Sequence, residues 1–305
     1  MGKREVTAVG TAEGYPLAVF CHKQLLIEGQ SEKCIYLKGM ISMTVLNVVV
    51  VGACGKMGKE VLKGFLASGD IKIAGAIDVN GIGQDVGEII GVGATGVKVT
   101  DNITALLGSV TKPCVVIDFT IKAAAIKNIP IALGSGASVV VGTTGFTQQE
   151  MDGFDTIARQ NKVGILIAPN FSLGAVLMMK CAKDISRYLK QVEIIEYHND
   201  KKVDSPSGTA IATTLAMKDN LSLQQDGVIN ENNCRGGDFN GVRVHSVRLK
   251  SMVAHQEVLF AGEGELLTIR HDSFSRESFI PGVLMAVRKI GSWQGLKYGL
   301  DLILD

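Results

Sequence analysis

The sequence predicts an α/β protein that combines a doubly wound parallel sheet with an α+β domain whose sheet is mixed and mainly antiparallel. From Met43 onward, short β-branched runs alternate with glycine turns and helical spacing, which is typical of parallel strands joined by right-handed crossovers. Beyond about Phe171 this alternation is replaced by a long helical stretch and then by strands of period two. The chain also has 36 glycines but one tryptophan, which indicates many tight turns and small aliphatic cores.

Residues 43–170 are predicted to form the first domain. Its first strand, Val45–Val51, is a continuous β-branched run, which indicates burial on both faces of the sheet. A glycine turn and a helix over Lys59–Ser68 follow it. Further strands of the same sheet are predicted at Ile71–Ile77, Val115–Asp118, Ser138–Val141 and Ile165–Ile167.

Residues 171–280 are predicted to form a second domain, and residues 281–305 a return to the first. A long helix is expected over Leu173–Leu189, a strand over Val192–Tyr197 and another helix after Pro206. The remaining elements are expected to be three mainly antiparallel strands and two closing helices, at Val242–Leu249, Gln256–Ala261, Glu265–His271, Pro281–Ile290 and Leu296–Leu304.

Residues 1–42 lack this pattern. They contain an apolar patch, Tyr15–Phe20, but neither the basic start and cleavage site of a secretory signal nor the Arg- and Ser-rich composition of a transit peptide. We therefore expect an N-terminal extension that is not native or is poorly ordered. The natural start is expected at Met40 or Met43.

Bulk properties exclude several classes of function. The formal net charge is +1, so no strong basic field favours nucleic acid or an anionic membrane, and an anionic partner needs a local site. No apolar run is long and clean enough to span a bilayer, which needs roughly 20 residues.

The six cysteines have no paired spacing, which suits a reducing cytosol and predicts a cytoplasmic protein. We expect no metal site, because no cluster of side chains has metal-ligand spacing.

The glycine turn Gly52–Gly58, with the sequence GACGKMG, follows a buried strand and opens a helix. Its first glycine permits the tight turn, the second lets the backbone approach a pyrophosphate, and the third lets helix and strand pack closely. Asp78 ends the next strand, where a carboxylate accepts hydrogen bonds from ribose hydroxyls and repels a 2′-phosphate. The pattern predicts a Rossmann-like dinucleotide site. NADH is favoured over NADPH, although Lys56 near the phosphates leaves both open.

The segment EYHNDKKVDSPSGTA, residues 196–210, predicts a second site. His198 is a proton donor suited to neutral pH, and Lys202 adds a positive charge. Pro206 suits the first position of a helix capped by Ser205, which makes the amides of residues 207–209 free donors for a carboxylate. These groups predict a small dicarboxylate ligand whose C=C or C=N bond is reduced by a hydride and a proton.

With these motifs, the chain from about Met43 to Asp305 resembles the 4-hydroxy-tetrahydrodipicolinate reductase (dihydrodipicolinate reductase) family of the diaminopimelate–lysine pathway. The resemblance is carried by GACGKMG, DFT, GTTGF, APNFS, EYHNDKKVDSPSGTA and HDSFSRESFIPGV. The segment EYHNDKKVDSPSGTA is highly specific to the family, whereas the glycine turn is not. The resemblance implies reduction of 4-hydroxy-tetrahydrodipicolinate to tetrahydrodipicolinate with NADH or NADPH. It also implies a homotetramer assembled through the second domain.

The resemblance implies roles for individual residues. His198 matches the family's proton donor, and Lys202 matches its substrate-binding and catalytic lysine. The expected substrate contacts are Asn199, Ser207, Gly208, Thr209 and Thr144. The expected cofactor contacts are Gly52, Gly55, Lys56, Met57, Asp78, Gly142, Thr144, Ala168 and Phe171.

Two positions depart from the family pattern. Asn199 stands where a second histidine is frequent, and it can hydrogen-bond to substrate but cannot be cationic. Ile121 stands where many members have an arginine after DFT, which again disfavours a 2′-phosphate. Outside these motifs, His245, His255 and His271 are expected to be structural, and Arg248 and Arg276 to support the site or the subunit interface.

Two other interpretations stay open. An amino-acid dehydrogenase with the same two-domain plan, such as a homoserine or aspartate dehydrogenase, has no need for the anion clamp formed by Lys202 and residues 207–209. A non-catalytic protein that senses dinucleotides has no need for His198.

Overall fold

The first sheet of the computed structural model, which describes residues 45–221 and 234–304, is parallel throughout and has seven strands. The predicted extension over residues 1–42 lies outside the described residues. The strand order is β12-β6-β5-β4-β1-β2-β3. These strands are β1 (Leu46–Val51), β2 (Ile71–Ile77), β3 (Val99–Thr100), β4 (Cys114–Asp118), β5 (Ser138–Val141), β6 (Gly164–Ile167) and β12 (Gly295–Tyr298).

Helices cover both faces of this sheet. Val48 and Val50 belong to the apolar cluster on one face, and Val49 and Val51 belong to the cluster on the other. The continuous valine run is therefore a strand buried on both faces, as predicted. The helices of this domain are α1 (Lys56–Leu66), α2 (Val86–Ile90), α3 (Ile103–Ser109), α4 (Lys122–Gly134) and α5 (Gln148–Gln160), with α8 (Ile280–Lys289) returning to it late in the chain.

The second sheet has five strands in the order β11-β10-β7-β9-β8. Only the β7–β9 pair is parallel, so the prediction of a mixed, mainly antiparallel sheet is confirmed. Two helices, α6 and α7, pack on one face of it. The elements are α6 (Leu173–Ile185), β7 (Gln191–His198), α7 (Gly208–Met217), β8 (Gly237–Phe239), β9 (Val242–Arg248), β10 (Ala254–Gly262) and β11 (Glu265–Ser273).

Helix α6 links the two sheets. Its Val176 is part of the core of the first sheet, whereas Met178 and Ala182 are part of the core of the second. The loop after β6 lies beside the start of α7, where Asn170 bonds to Thr209. None of the described helices is both long enough and apolar enough to cross a membrane.

The predicted helix over residues 296–304 is wrong. Gly295–Tyr298 is instead a strand that pairs with β6, and only a short 3-10 turn, Leu300–Ile303, follows it. Gly295 and Gly299 have φ values of +83° and +110°, which only glycine adopts readily; Gly295 begins the strand and Gly299 directly follows it. The long helix predicted from Leu173 also ends earlier than expected, at Ile185.

Candidate active site

The glycine turn has the geometry that a pyrophosphate needs. Gly52 has a φ of +84°, and a Cβ atom on Gly58 would lie 2.0 Å from the carbonyl oxygen of Gly52. Helix α1 begins at Lys56 with Gly55 as its cap, and no side chain caps its free amides. This start is three residues before the predicted one, because the amide of Lys59 already bonds to the Gly55 carbonyl. The helix start is thus open to an anion.

Asp78 lies beside this turn. Its Oδ2 atom accepts a hydrogen bond from the Cys54 amide at 2.9 Å, and its Oδ1 atom accepts one from the Asn80 amide at 2.9 Å. The carboxylate therefore joins the end of β2 to the turn after β1. An ionised carboxylate has further lone pairs, so Asp78 keeps acceptor capacity for ribose hydroxyls.

The next strand ends meet around Asp118, which is fully buried at the end of β4. Burial raises the pKa of its carboxyl group, and hydrogen bonds from Thr120, Asn128 and Thr143 oppose that rise. The Gly142 amide donates to the Asp118 carbonyl at 2.9 Å. A Cβ atom on Gly142 would lie 2.1 Å from the Phe119 ring, so this position requires glycine.

Ala168 and Phe171 are placed differently from the other predicted cofactor residues. Ala168 is 0% exposed and Phe171 is 1% exposed. The Phe171 ring packs against Phe119, with 5.5 Å between the ring centroids. Their side chains thus belong to the core of the first sheet, where they shape the loop that carries Asn170.

A cleft of about 730 Å³ lies between the loops of the first sheet and the start of α7. It brings together most of the residues predicted to bind substrate. The predicted residues that line it are Thr144, His198, Lys202, Ser207, Gly208 and Thr209. Asn170 lines it too, and its Nδ2 atom lies 3.3 Å from the Thr209 hydroxyl oxygen.

His198 enters this cleft from the last position of β7. Its Nδ1 atom lies 2.5 Å from Oε2 of Glu196, a side chain that is 0% exposed. Arg248 on β9 donates to both oxygens of the same carboxylate, at 3.0 and 2.7 Å. Burial opposes ionisation of Glu196, but the hydrogen bonds from His198 and Arg248 prevail and lower its pKa to about 2. Glu196 is therefore ionised at neutral pH.

Helix α7 begins two residues later than the sequence predicts. Ser207, not Ser205, is its cap: it has extended backbone angles, and its hydroxyl oxygen accepts from the Ala210 amide at 3.1 Å. Pro206 consequently lies outside the helix. The Ser207 amide is not a free donor, because it bonds to Oε1 of Glu196 at 3.3 Å. The open anion donors are the amides of the first two helical residues, Gly208 and Thr209, together with the Ser207 O–H.

Lys202 and Asn199 have different surroundings in the loop before α7. The Lys202 Nζ atom lies in the cleft and lies 2.7 Å from both carboxylate oxygens of Asp204. That contact lowers the pKa of Asp204. Asn199 instead bonds to backbone: its Nδ2 atom donates to the Lys250 carbonyl, and its Oδ1 atom accepts from the Lys201 amide. Asn199 is absent from the cleft lining in the described structure.

A smaller cavity of about 180 Å³ shares His198, Ser207 and Thr209 with the cleft. His255 and His271 line it from the second sheet. His255 bonds through Nδ1 to Asp272 at 2.7 Å, and His271 bonds through Nε2 to Ser172 at 3.1 Å. Burial lowers the pKa of His271, which favours its neutral form. His245 is paired with Glu193 on the same sheet.

Sequence reasoning did not select Glu196, Asp204 or Asn170 as site residues. For Glu196 a signal was present, because residues two apart on a strand point to the same face and Glu196 precedes His198 by two. Arg248 was predicted only to support the site or an interface. Its pairing with Glu196 depends on the parallel register that places it opposite His198.

The cleft can perform two chemical tasks. Its cation and open helix start suit one carboxylate, and Thr144 and Asn170 offer neutral hydrogen-bonding groups for the rest of a polar molecule. His198 can exchange a proton with a small molecule bound between the start of α7 and these neutral side chains. These groups face the carboxyl edge of the parallel sheet, where ligands of such sheets bind.

Two family models match the chain, and together they cover most of it. Residues 46–171 match "dihydrodipicolinate reductase, N-terminus", and residues 174–304 match "dihydrodipicolinate reductase, C-terminus".

Curated relatives agree with these models. A 4-hydroxy-tetrahydrodipicolinate reductase of Carboxydothermus hydrogenoformans is 44% identical over 261 residues, which cover 85% of this chain and 99% of that protein. One of Dictyoglomus turgidum is 45% identical over 266 residues, with 85% and 98% covered.

Solved structures show the same likeness. A dipicolinate-bound dihydrodipicolinate reductase from Paenisporosarcina sp. TG-14 is 37% identical, with a TM-score of 0.77 over 85% of this chain and 100% of that one. An amine dehydrogenase from Mycobacterium smegmatis is 14% identical with a TM-score of 0.62, over 84% of this chain and 95% of that one, and shares the fold alone.

Proposed function

The chain belongs to the dihydrodipicolinate reductase family, and on that premise we propose that it reduces 4-hydroxy-tetrahydrodipicolinate to tetrahydrodipicolinate with NAD(P)H. The observation that carries this proposal is the lining of one cleft by His198, Lys202 and the open start of α7. A proton donor and a carboxylate site thus lie within reach of the same small molecule. This reaction is a step of diaminopimelate and lysine biosynthesis.

The glycine turn fits the pyrophosphate of the cofactor. The close approach of Gly58 to Gly52 leaves no room for a Cβ atom, and the amides at the start of α1 lack a side-chain cap. Gly52, Gly55, Lys56 and Met57 would hold the phosphates there, and Asp78 the adenosine ribose. When bound, NAD(P)H supplies the hydride. Gly142, Thr144 and the backbone of Ala168 and Phe171 would surround its nicotinamide end.

NADH is proposed as the preferred cofactor. The Asp78 carboxylate would repel a 2′-phosphate, and its neighbours Val79 and Asn80 carry no positive charge. Ile121, after the DFT segment, adds none either. A phosphate without a cationic partner beside a carboxylate is electrostatically disfavoured.

The substrate would be held by one carboxylate on the start of α7. The Gly208 and Thr209 amides and the Ser207 hydroxyl donate to that carboxylate, and Lys202 balances its charge. Thr144 contacts the substrate from the side of the first sheet. These fixed donors stabilise the negative charge that rearranges during reduction. Asn199 is a weaker candidate for substrate binding, because both ends of its amide already bond to backbone.

His198 would protonate the ring carbon next to the one that receives the hydride. Its Nδ1 atom faces Glu196, which leaves Nε2 as the nitrogen that meets substrate. A positioned donor of this kind contributes roughly 10²–10⁴ to the rate. Transfer of the proton from His198 to this carbon also neutralises the carbanion that would otherwise form beside the carbon that accepts the hydride.

The proposal is tested by adding the product of the preceding synthase to the protein with NADH, and separately with NADPH. The expected result is oxidation of both cofactors with a higher kcat/KM for NADH. Reduction of NAD⁺ to NADH by homoserine or by aspartate would instead indicate an amino-acid dehydrogenase. Cofactor binding without oxidation under any of these conditions would indicate a dinucleotide sensor.

We also propose a cytoplasmic homotetramer that assembles through the second sheet, as in the family. Light scattering after size-exclusion chromatography tests the tetramer. A mass of four chains is expected, and a monomer would contradict it.

A further inference from the structure

The carboxylate of Glu196 contacts both halves of the proposed site. Its Oε2 atom receives the Nδ1 side of His198, and its Oε1 atom receives the Ser207 amide that begins α7. Arg248 donates to both oxygens and also to the Asp204 carbonyl, at 2.9 Å, in the loop that carries Lys202. One buried ion pair is thus bonded to the proton donor, to the anion-binding helix and to the loop between them.

The position of Glu196 on β7 explains why it is buried. Val192 and Ile194 are core residues that face α6 and α7, and Glu196 continues the same face by the two-residue period of a strand. The apolar face therefore ends in a fully buried carboxylate, and then in His198 at the cleft. A buried carboxylate without partners is strongly destabilising, so its charge requires the bidentate contact with Arg248.

The ionised state of Glu196 determines which histidine nitrogen carries hydrogen. At neutral pH, a carboxylate with a pKa of about 2 can accept hydrogen bonds but cannot donate them. The short contact between Glu196 and His198 therefore requires hydrogen on Nδ1 of His198. Nε2 then faces the cleft and carries the exchangeable proton. After this proton is given up, His198 is neutral with hydrogen still on Nδ1, and Glu196 stays ionised because Arg248 holds it.

We propose that Glu196 is the positioning residue of this site. It sets the tautomer and ring orientation of His198, and through the Ser207 amide it fixes the first turn of α7 relative to that ring. This inference rests on the proposed function, in which His198 gives a proton to a substrate whose carboxylate is bound by α7. Glu196 itself does not touch the substrate.

The same strand provides a matched control. Glu193 also joins a histidine to an arginine: His245 Nε2 lies 2.7 Å from its Oε2 atom, and Arg235 lies 2.6 Å from its Oε1 atom. Glu193 is three residues from Glu196, hence on the opposite face of β7, and its side chain is 34% exposed. It has the same chemistry without contact to the cleft.

The test compares Glu196→Gln with Glu193→Gln. We expect Glu196→Gln to lower kcat by about 10- to 100-fold and to raise the KM for substrate, because both the donor and the helix start lose their fixed partner. The Kd for NADH is expected to stay unchanged. Glu193→Gln is expected to leave kcat, KM and this Kd at their original values.

A second readout needs no turnover. Imidazole ¹⁵N shifts, assigned with His198→Gln, are expected to show hydrogen on Nδ1 of His198 in the original protein and in Glu193→Gln. They are expected to show its loss from Nδ1, or exchange between the two nitrogens, in Glu196→Gln. A protein that fails to oxidise NADH with the substrate contradicts the proposed function, while this measurement still tests the control of His198 by Glu196.

Glu196→Gln leaves the Arg248 cation without its buried partner, so the double variant Glu196→Gln/Arg248→Gln is measured beside it. Circular dichroism and thermal melting show whether the single variant or the double variant is folded. The folded variant is expected to show the same fall in kcat and the same change in the ¹⁵N shifts. An unchanged kcat in a folded variant, or an unchanged His198 tautomer, overturns the proposal.

Discussion

Both carboxylate oxygens of Asp204 lie 2.7 Å from the Nζ atom of Lys202. The cation proposed to hold the substrate is therefore shared with a carboxylate of the protein itself. The Asp204 side chain is 62% exposed and that of Lys202 is 26% exposed. An incoming substrate carboxylate competes for Lys202 with a partner that water already screens.

Replacing Lys202 is expected to weaken substrate binding. Lys202→Met should lower kcat/KM by about 10- to 150-fold, because a hydrogen bond to a charged group contributes about 1.5–3 kcal/mol. Asp204→Asn should instead lower KM by up to about five-fold, since exposed ion pairs contribute about 0–1 kcal/mol. Steady-state kinetics measure both. The exposed neighbour Lys201→Met is the control, and an equal loss in it would show that overall charge, not position, matters.

His198→Gln is expected to separate chemistry from binding. Gln keeps a polar group at the end of β7 but donates no proton on the timescale of the reaction, so kcat should fall by roughly 10²–10⁴. The Kd for NADH, measured by fluorescence, should change little, because His198 lies in the cleft and not at the glycine turn. His245→Gln, outside the cleft, is the control. Near-normal turnover of His198→Gln would refute its role as proton donor.

Much of this fold can be predicted from patterns of a few adjacent residues. The valine run of β1 and the strand–turn–helix at Gly52 require burial on two faces and a left-handed glycine, and each requirement is visible in a few adjacent residues. The last strand is different. The run over residues 296–304 suits a helix or a strand by spacing alone, and its pairing with β6 decides between them.

The site shows the same division between local and distant causes. His198, Lys202 and residues 207–209 lie close in sequence, and the cleft does bring them together. The prediction of Ser205 as the helix cap is wrong, because Ser205 and Ser207 both flank Pro206 and a serine suits a cap at either position. The bond from the Ser207 amide to Glu196 joins residues eleven positions apart, and Arg248 lies 52 positions from Glu196. Such contacts follow from strand register, which no local pattern specifies.

Asp85 is expected to make stability depend on pH. It accepts hydrogen bonds from the Thr95 amide and hydroxyl and from the Gly87 and Gly96 amides. The Thr95 amide contributes most to lowering its pKa to about 2, against the effect of burial. Because the folded pKa lies below the ordinary value of about 3.9, this stabilisation is fully present above about pH 4. It is lost as pH falls towards about 2.

Asp85→Asn should therefore lower Tm at neutral pH, and its difference from the original protein should shrink as pH falls from about 4 to about 2. Thermal melts across this range measure it. Asp101→Asn, at an exposed carboxylate in the turn before α3, is the control for the removal of one negative charge. A constant difference in Tm at every pH would contradict the assignment to ionised Asp85.

Gly208→Ala is expected to impair substrate binding without harming the fold. A Cβ atom at Gly208 would have no described neighbour within 4 Å beyond the adjacent residues and the backbone of its own helix, and alanine is the better helix former, so Tm should be maintained or rise. The new methyl group would nevertheless occupy the space beside the amide proposed to bind the carboxylate, which raises KM. Gly153→Ala, also without a neighbour within 4 Å, is the matched control in the middle of α5. An unchanged KM in Gly208→Ala would show that the substrate carboxylate does not bind at the start of α7.

Val79→Arg is expected to shift the cofactor preference towards NADPH. Val79 directly follows Asp78, and its side chain is 83% exposed, so an arginine fits there without repacking the core. Its guanidinium would pair with a 2′-phosphate and offset the repulsion from Asp78. The ratio of kcat/KM for NADPH to that for NADH should rise about ten-fold or more, which corresponds to about 1.4 kcal/mol. Val79→Gln adds length without charge and should leave the ratio unchanged. If both variants alter it equally, the adenosine ribose does not lie beside Asp78.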